Sequence, residues 1–165
     1  MLDDAVLIAL GSNLAGPFAG PEALLEAALG RFADAQLALV RRSSWWRSAS
    51  WPDPSLPDYL NGLAVVETSL GPREALAALR RLEQAFGREA GARNAPRTLD
   101  LDLIAHGRAV VEEPDLILPH PRAHERLFVM GPLAEIAPDW VHPLLGQTAA
   151  ALAAQARIGA DARPV

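Results

Sequence analysis

The sequence predicts an α+β fold, a ferredoxin-like βαββαβ antiparallel sheet with helices packed on it and extra C-terminal helices. Two observations predict it: short apolar runs of strand type, and two helical stripes that interrupt them in the order β-α-β-β-α-β. The apolar run from Ala5 to Leu10 ends at Gly11-Ser12-Asn13, a buried strand entering a turn. Leu24, Leu25, Ala28, Leu29 and Phe32 form a helical stripe over Pro21 to Phe32, with Pro21 suited to the first turn. Aliphatic, aromatic and β-branched residues predict strands over Leu37 to Trp46 and Leu60 to Ser69, joined by a proline-rich loop from Arg47 to Tyr59. Leu76, Leu79, Leu82 and Phe86 mark a second helix over Pro72 to Phe86, with Gly87 as its stop. A strand follows over Thr98 to Ala105, then a turn at His106-Gly107 and a short strand at Ala109 to Val111. Short helices are expected near Pro132 to Ala137 and Thr148 to Arg157. Residues 1–158 read as a single domain and 159–165 as a tail that frays.

Composition narrows the function classes. The net charge of −5 argues against a nucleic-acid binder, which needs a basic surface to neutralise phosphates. No uninterrupted apolar run reaches the roughly 20 residues of a membrane span, and Met1-Leu2-Asp3-Asp4 lacks the basic start of a signal peptide. A soluble, cytoplasmic protein is expected. Absent cysteines exclude disulfides and thiolate chemistry. All fifteen basic side chains are arginine, so a bound phosphate must be held by guanidinium groups, metal or backbone, not by a Walker-type lysine.

The chemistry concentrates in Arg97-Thr98-Leu99-Asp100-Leu101-Asp102-Leu103. Strand alternation places the leucines on one face and both carboxylates on the other, about 6.5 to 7 Å apart. Two unpaired carboxylates on one strand face repel, whereas a pair of Mg²⁺ ions about 3.5 to 4 Å apart would be bridged by them. Such ions prefer oxygen ligands and complete their shell with water and substrate phosphates. Arg88 and Arg97 bracket the loop just upstream and Arg126 follows later, so anionic phosphate could be neutralised from two sides. This constellation suggests phosphoryl transfer, which depends mainly on positioning and charge neutralisation.

Pro96 through Leu103 closely resembles the signature of the hydroxymethyldihydropterin pyrophosphokinase family. Further family-like segments fall in family order: Gly11-Ser12-Asn13, Ser43-Ser44-Trp45-Trp46-Arg47-Ser48, Asp58-Tyr59-Leu60-Asn61, Glu83 with Gly87-Arg88, and Pro119-His120 through Arg126, Phe128, Pro132 and Leu133. The resemblance covers roughly residues 5 to 145. It implies transfer of the β,γ-diphosphate of Mg·ATP to 6-hydroxymethyl-7,8-dihydropterin in folate biosynthesis, with AMP released. On this resemblance Asp100 and Asp102 hold two Mg²⁺ ions, and Asp102 also eases proton loss from the attacking alcohol. Arg88 and Arg97 close over the phosphates and stabilise the transferring group, while Glu83, His120 and Arg126 serve ATP. Tyr59 and Phe128 stack on the pterin, Asn61 reads its edge, Asn13 lies behind it, and Ser48 opens a segment offering backbone groups.

The departures from the family pattern are specific. The loop from Arg88 to Arg97 is one residue shorter than in some relatives, and Asn94 stands where many members carry tryptophan. Asp115 and His124 replace an arginine and a lysine, and the segment Ser50-Trp51-Pro52-Asp53 is non-identical. A monofunctional monomer with no nucleic-acid or membrane partner is expected. The competing reading is a non-catalytic ferredoxin-like small-ligand-binding domain, which would give no reason to keep Asp100, Asp102, Arg88, Arg97, Tyr59 and Asn61 together.

Overall fold

A computed structural model describes residues 4–13, 20–49, 55, 57–87 and 99–165. Strand β1 (Val6–Ser12) is buried along its whole length, as its continuous apolar run requires. It pairs antiparallel with β4 (Tyr59–Glu67) on one side and β5 (Asp100–His106) on the other. Strands β2 (Ala38–Arg42) and β3 (Trp46–Ser48) share the far edge of β4, and β8 (Arg163–Pro164) pairs beyond β3.

The two sides of this sheet are covered by different parts of the chain. Helices α1 (Pro21–Gly30) and α2 (Pro72–Ala85) pack on Val6, Ile8, Leu10, Leu101 and Leu103. Both have proline in the first turn, where its missing N–H breaks no helical bond. Helices α3 (Leu127–Ile136) and α4 (Ala149–Gln155) cover the other face through Val129, Met130, Leu133 and Leu152, against Leu7, Ala9 and Leu63. The sheet and helices thus match the expected ferredoxin-like arrangement with added C-terminal helices.

Four local expectations are revised. The strand expected over Leu37 to Trp46 is broken, because Ser43 engages Leu63 twice: its N–H donates to the Leu63 carbonyl, and its Oγ accepts from the Leu63 N–H, both at 2.9 Å. Trp45 is thereby turned into the core, where its Nε1 donates to Glu26 Oε1 at 3.0 Å. The short strand expected at Ala109 to Val111 is a hairpin of β6 (Val111–Glu113) and β7 (Leu116–Leu118), turning at Pro114-Asp115. Arg73, in the first turn of α2, clamps it by hydrogen bonds to Glu113 and Asp115, and the guanidinium holds the Asp115 carboxyl below its usual range.

Helix α3 starts five residues before Pro132, so that proline lies inside the helix and has no N–H for the Phe128 carbonyl. The fourth revision concerns the tail. Residues expected to fray are placed against the sheet: Arg163 and Pro164 pair with β3, Ala162 is buried, and the Val165 N–H donates to the Trp45 carbonyl at 2.9 Å.

Candidate active site

Alternation along β5 sends Leu101 and Leu103 into the core under α1 and α2, leaving Asp100 and Asp102 half-buried on the opposite face. Register then builds the site. Asp100 lies opposite Gly11, Gly11 opposite Asn61, and Asn61 opposite Trp46, while Asp102 lies opposite Ala9. Directly opposed residues share a sheet face, so this row carries carboxylate, bare backbone, amide and indole in sequence. Gly11 must lack a side chain there: a Cβ would stand 2.5 Å from Asn61 Nδ2.

This face opens into a cavity of about 760 Å³ lined by Asp100, Asp102, Tyr59, Asn61, Phe128 and Ser48. Ser48 is buried and pairs with Tyr59 across β3 and β4. Burial, then the negative charge of Asp100, raises the Tyr59 phenol above its usual value, so the ring is neutral at physiological pH. A second cavity of about 250 Å³ is lined by Leu76, Arg80, Leu116, Ile117, His120 and, again, Asp102. Asp102 therefore borders both cavities.

His120, in the wall of the second cavity, is held by its backbone N–H, which donates to the Ile104 carbonyl at 2.8 Å. Its Nδ1 accepts from the Arg122 N–H at 3.2 Å, which leaves Nε2 to carry the proton of the neutral ring. Burial lowers its affinity for a second proton, an effect that the nearby Asp102 carboxylate opposes. Arg126 lines the larger cavity with its guanidinium 5.8 Å from the Phe128 ring centre.

Two proposed residues occupy different positions from the cavity group. Glu83 is 2% exposed; its Oε2 accepts from the Leu101 N–H at 2.9 Å and its Oε1 from Arg80 Nη1 at 2.8 Å. It therefore grips β5 between the two aspartates rather than facing either cavity. Asn13 donates from Nδ2 to the Pro57 carbonyl at 3.5 Å, linking the end of β1 to the approach to Tyr59. Arg88 and Arg97 lie outside the described residues, as does Asn94. The cavity wall also contains Arg122 and Arg157, which are not among the residues expected from sequence. Arg122 had a signal, two positions after His120. Arg157 had none, because only the path of the C-terminal segment brings it there.

Residues 7–138 match the family described as 7,8-dihydro-6-hydroxymethylpterin-pyrophosphokinase (HPPK). The chain belongs to the HPPK family. It is 49% identical over 120 residues to the 2-amino-4-hydroxy-6-hydroxymethyldihydropteridine pyrophosphokinase of Synechocystis sp., covering 69% of this chain and 61% of that protein. It is 40% identical over 136 residues to the Haemophilus influenzae protein of the same name, covering 82% and 83% respectively. The folic acid synthesis protein fol1 of Pneumocystis carinii is 34% identical over 144 residues, covering 87% of this chain and 19% of that protein. The chain thus spans less than two thirds of the Synechocystis and Pneumocystis relatives. In fold it resembles the crystal structure of wild-type Plasmodium falciparum HPPK-DHPS, with a TM-score of 0.70, 11% identity, and 91% of this chain and 44% of that one covered.

The donor set of this HPPK chain fits hard divalent cations. Asp100 and Asp102 present oxygen ligands to one cavity, and no cluster of three or more His, Cys, Asp or Glu side chains suited to a metal occurs among the described residues. Two carboxylates alone leave most coordination positions to water and substrate oxygens, which is the usual arrangement for Mg²⁺. Among the described residues, no helix is long and apolar enough to cross a membrane.

Proposed function

We propose that this chain transfers the β,γ-diphosphate of ATP to the hydroxymethyl oxygen of 6-hydroxymethyl-7,8-dihydropterin in folate biosynthesis. The observation that carries this reading is Asp102 lining both cavities, one walled by aromatic rings and an amide, the other by apolar side chains with Arg80, Asp115 and His120. Tyr59 and Phe128 offer faces to the flat pterin, and Asn61 offers its amide to the ring edge. Ser48 introduces backbone groups on the opposite wall. ATP occupies the second cavity, with its phosphates directed toward Asp102.

The hydroxymethyl oxygen attacks the β-phosphorus in line; the bond from that phosphorus to the oxygen bridging it to the α-phosphorus breaks, and AMP leaves with the bond's electron pair. Asp102 accepts the alcohol proton. Two Mg²⁺ ions held by Asp100 and Asp102 would supply neutralisation of the triphosphate charge when bound. His120 donates from Nε2 to a phosphate oxygen, and Arg126 adds positive charge from the opposite wall. Arg88 and Arg97 are assigned by their motif positions to closure over the phosphates and to stabilising the transferring group. Glu83 holds the β5 backbone so that both aspartates face the cavity, and Asn13 supports the pterin side through Pro57.

Residues 1–158 acting as one domain, a monomeric working state, a cytoplasmic location and the absence of nucleic-acid and membrane partners belong to the same reading. The non-catalytic binding-domain alternative is not favoured, because it leaves the paired carboxylates and adjoining arginines without a task. Purified protein incubated with Mg·ATP tests the reaction, with and without the pterin alcohol. Pterin-dependent AMP is the expected product; ADP, or no nucleotide change by folded protein, would overturn it.

A further inference from the structure

The chain beyond residue 138 lies outside the segment matched by the HPPK family, yet its last nine residues touch two walls of the larger cavity. At the first wall, the Arg157 and Ile158 N–H groups donate to the Glu125 carbonyl at 3.2 and 3.0 Å. The Leu127 N–H donates to the Ile158 carbonyl at 2.9 Å, forming a parallel bridge beside Arg126. The next residue, Gly159, lies under Phe128. A Cβ at this position would stand 2.6 Å from Phe128 Cδ1, and its φ of +69° is itself unfavourable for a side chain.

The segment then turns, with the Ala162 N–H donating to the Gly159 carbonyl at 2.9 Å, and reaches the end of β3, where Ser48 and Ala49 also line the cavity. There Asp161 Oδ2 accepts from the Ala49 N–H at 2.8 Å. Arg163 and Pro164 pair with Arg47 and Trp46 immediately before Ser48. One short segment thus fixes both the backing of Phe128 and the backbone after Ser48.

We propose that residues 157–165 form a strap that sets the width of the pterin subsite, with Gly159 and Asp161 as its positioning residues. The inference rests on the pterin reading given above and extends it to chain outside the family-matched segment. Gly159 allows the Phe128 ring to lie low enough to leave room for a flat bicycle. Asp161 holds the Ala49 amide and the adjoining backbone against the same space. Neither residue is assigned any contact with ATP, so the strap should govern pterin use selectively.

Steady-state kinetics on Gly159→Ala, Asp161→Ala and Asp161→Asn test this, with thermal melting to verify folding and hydrogen exchange as a second readout. Asp161→Ala and Gly159→Ala should each raise the pterin KM about tenfold, the scale of one lost charge-assisted hydrogen bond or one displaced ring, while the ATP KM stays unchanged. Asp161→Asn, which keeps an acceptor oxygen, should recover most of the loss. Exchange over residues 46–49 should quicken in Asp161→Ala. An unchanged pterin KM in both alanine variants, or equal rises for pterin and ATP, would overturn the strap. Absence of pterin-dependent AMP from the unaltered chain would instead overturn the assigned reaction. The tie would then be judged by exchange alone, and unchanged protection over 46–49 would remove that as well.

Discussion

Replacing Asp100 or Asp102 by alanine removes a carboxylate from a half-buried strand face without disturbing the leucines on the other side. Each change should lower AMP formation by about 10³-fold or more, the scale on which charge-stabilising groups act, with little change in melting temperature. A near-normal rate in either variant would contradict the metal assignment. Glu83 should behave differently, because it holds the β5 backbone: Glu83→Ala leaves the buried Leu101 N–H without its acceptor and should cost about 1–3 kcal/mol in denaturant unfolding. Glu83→Gln keeps an acceptor oxygen and should cost less, so equal losses would argue against the grip on Leu101. The paired aspartates were legible from strand periodicity and the surrounding motif. The grip of Glu83 was not, since helix spacing says which face a residue occupies but not which backbone amide it meets eighteen positions later.

Helices and strands were legible where one periodicity ran unopposed, as in β1, α1, α2 and β5. They were misread where a local bond or a proline competed with it. Ser43 has the composition to continue a strand, yet its paired hydrogen bonds with Leu63 divide β2 from β3. Pro132 resembles a helix start, but the bond from the Met130 N–H to the Arg126 carbonyl shows the helix already under way. This earlier start matters to the site because it places Phe128 on the first turn of α3, beside Arg126. Helix α4 shows the opposite case: the sequence predicts that it begins at Thr148, and Thr148 Oγ1 accepts from the Ala151 N–H at 3.1 Å. Thr148→Ala should lower stability by about 1 kcal/mol while leaving both substrate KM values unchanged, measured by chemical denaturation and steady-state kinetics. A selective rise in pterin KM would mean that α4 contributes to the site directly.

Across the whole molecule, acid should weaken the fold partly through His142. Burial and then the proximity of His124 lower its affinity for a proton in the native state, and its Nδ1 accepts from the Leu144 and Leu145 N–H groups at 3.2 and 3.1 Å. A depressed histidine value means that the unfolded chain binds the proton first. Stability should therefore fall as pH drops below about 6.5, the ordinary histidine value, and continue falling until the native ring also protonates. In His142→Asn, whose Oδ1 remains an acceptor without titrating, the decline in denaturant midpoint from pH 7 to pH 5 should be shallower; an unchanged decline would assign the acid sensitivity elsewhere. The long-range path of the C-terminal segment was the least legible feature. Gly159 and Asp161 carry no local pattern that reveals Phe128 and Ala49 as their neighbours.

ATP labelled separately at its α-, β- and γ-phosphorus positions shows directly, in one turnover assay with the pterin alcohol, which phosphorus is attacked. Equal transfer of the β and γ labels to the pterin, with the α label retained in AMP, is the expected result. Transfer of the γ label alone, with ADP formed, would contradict the proposed reaction and the placement of the β-phosphorus beside Asp102.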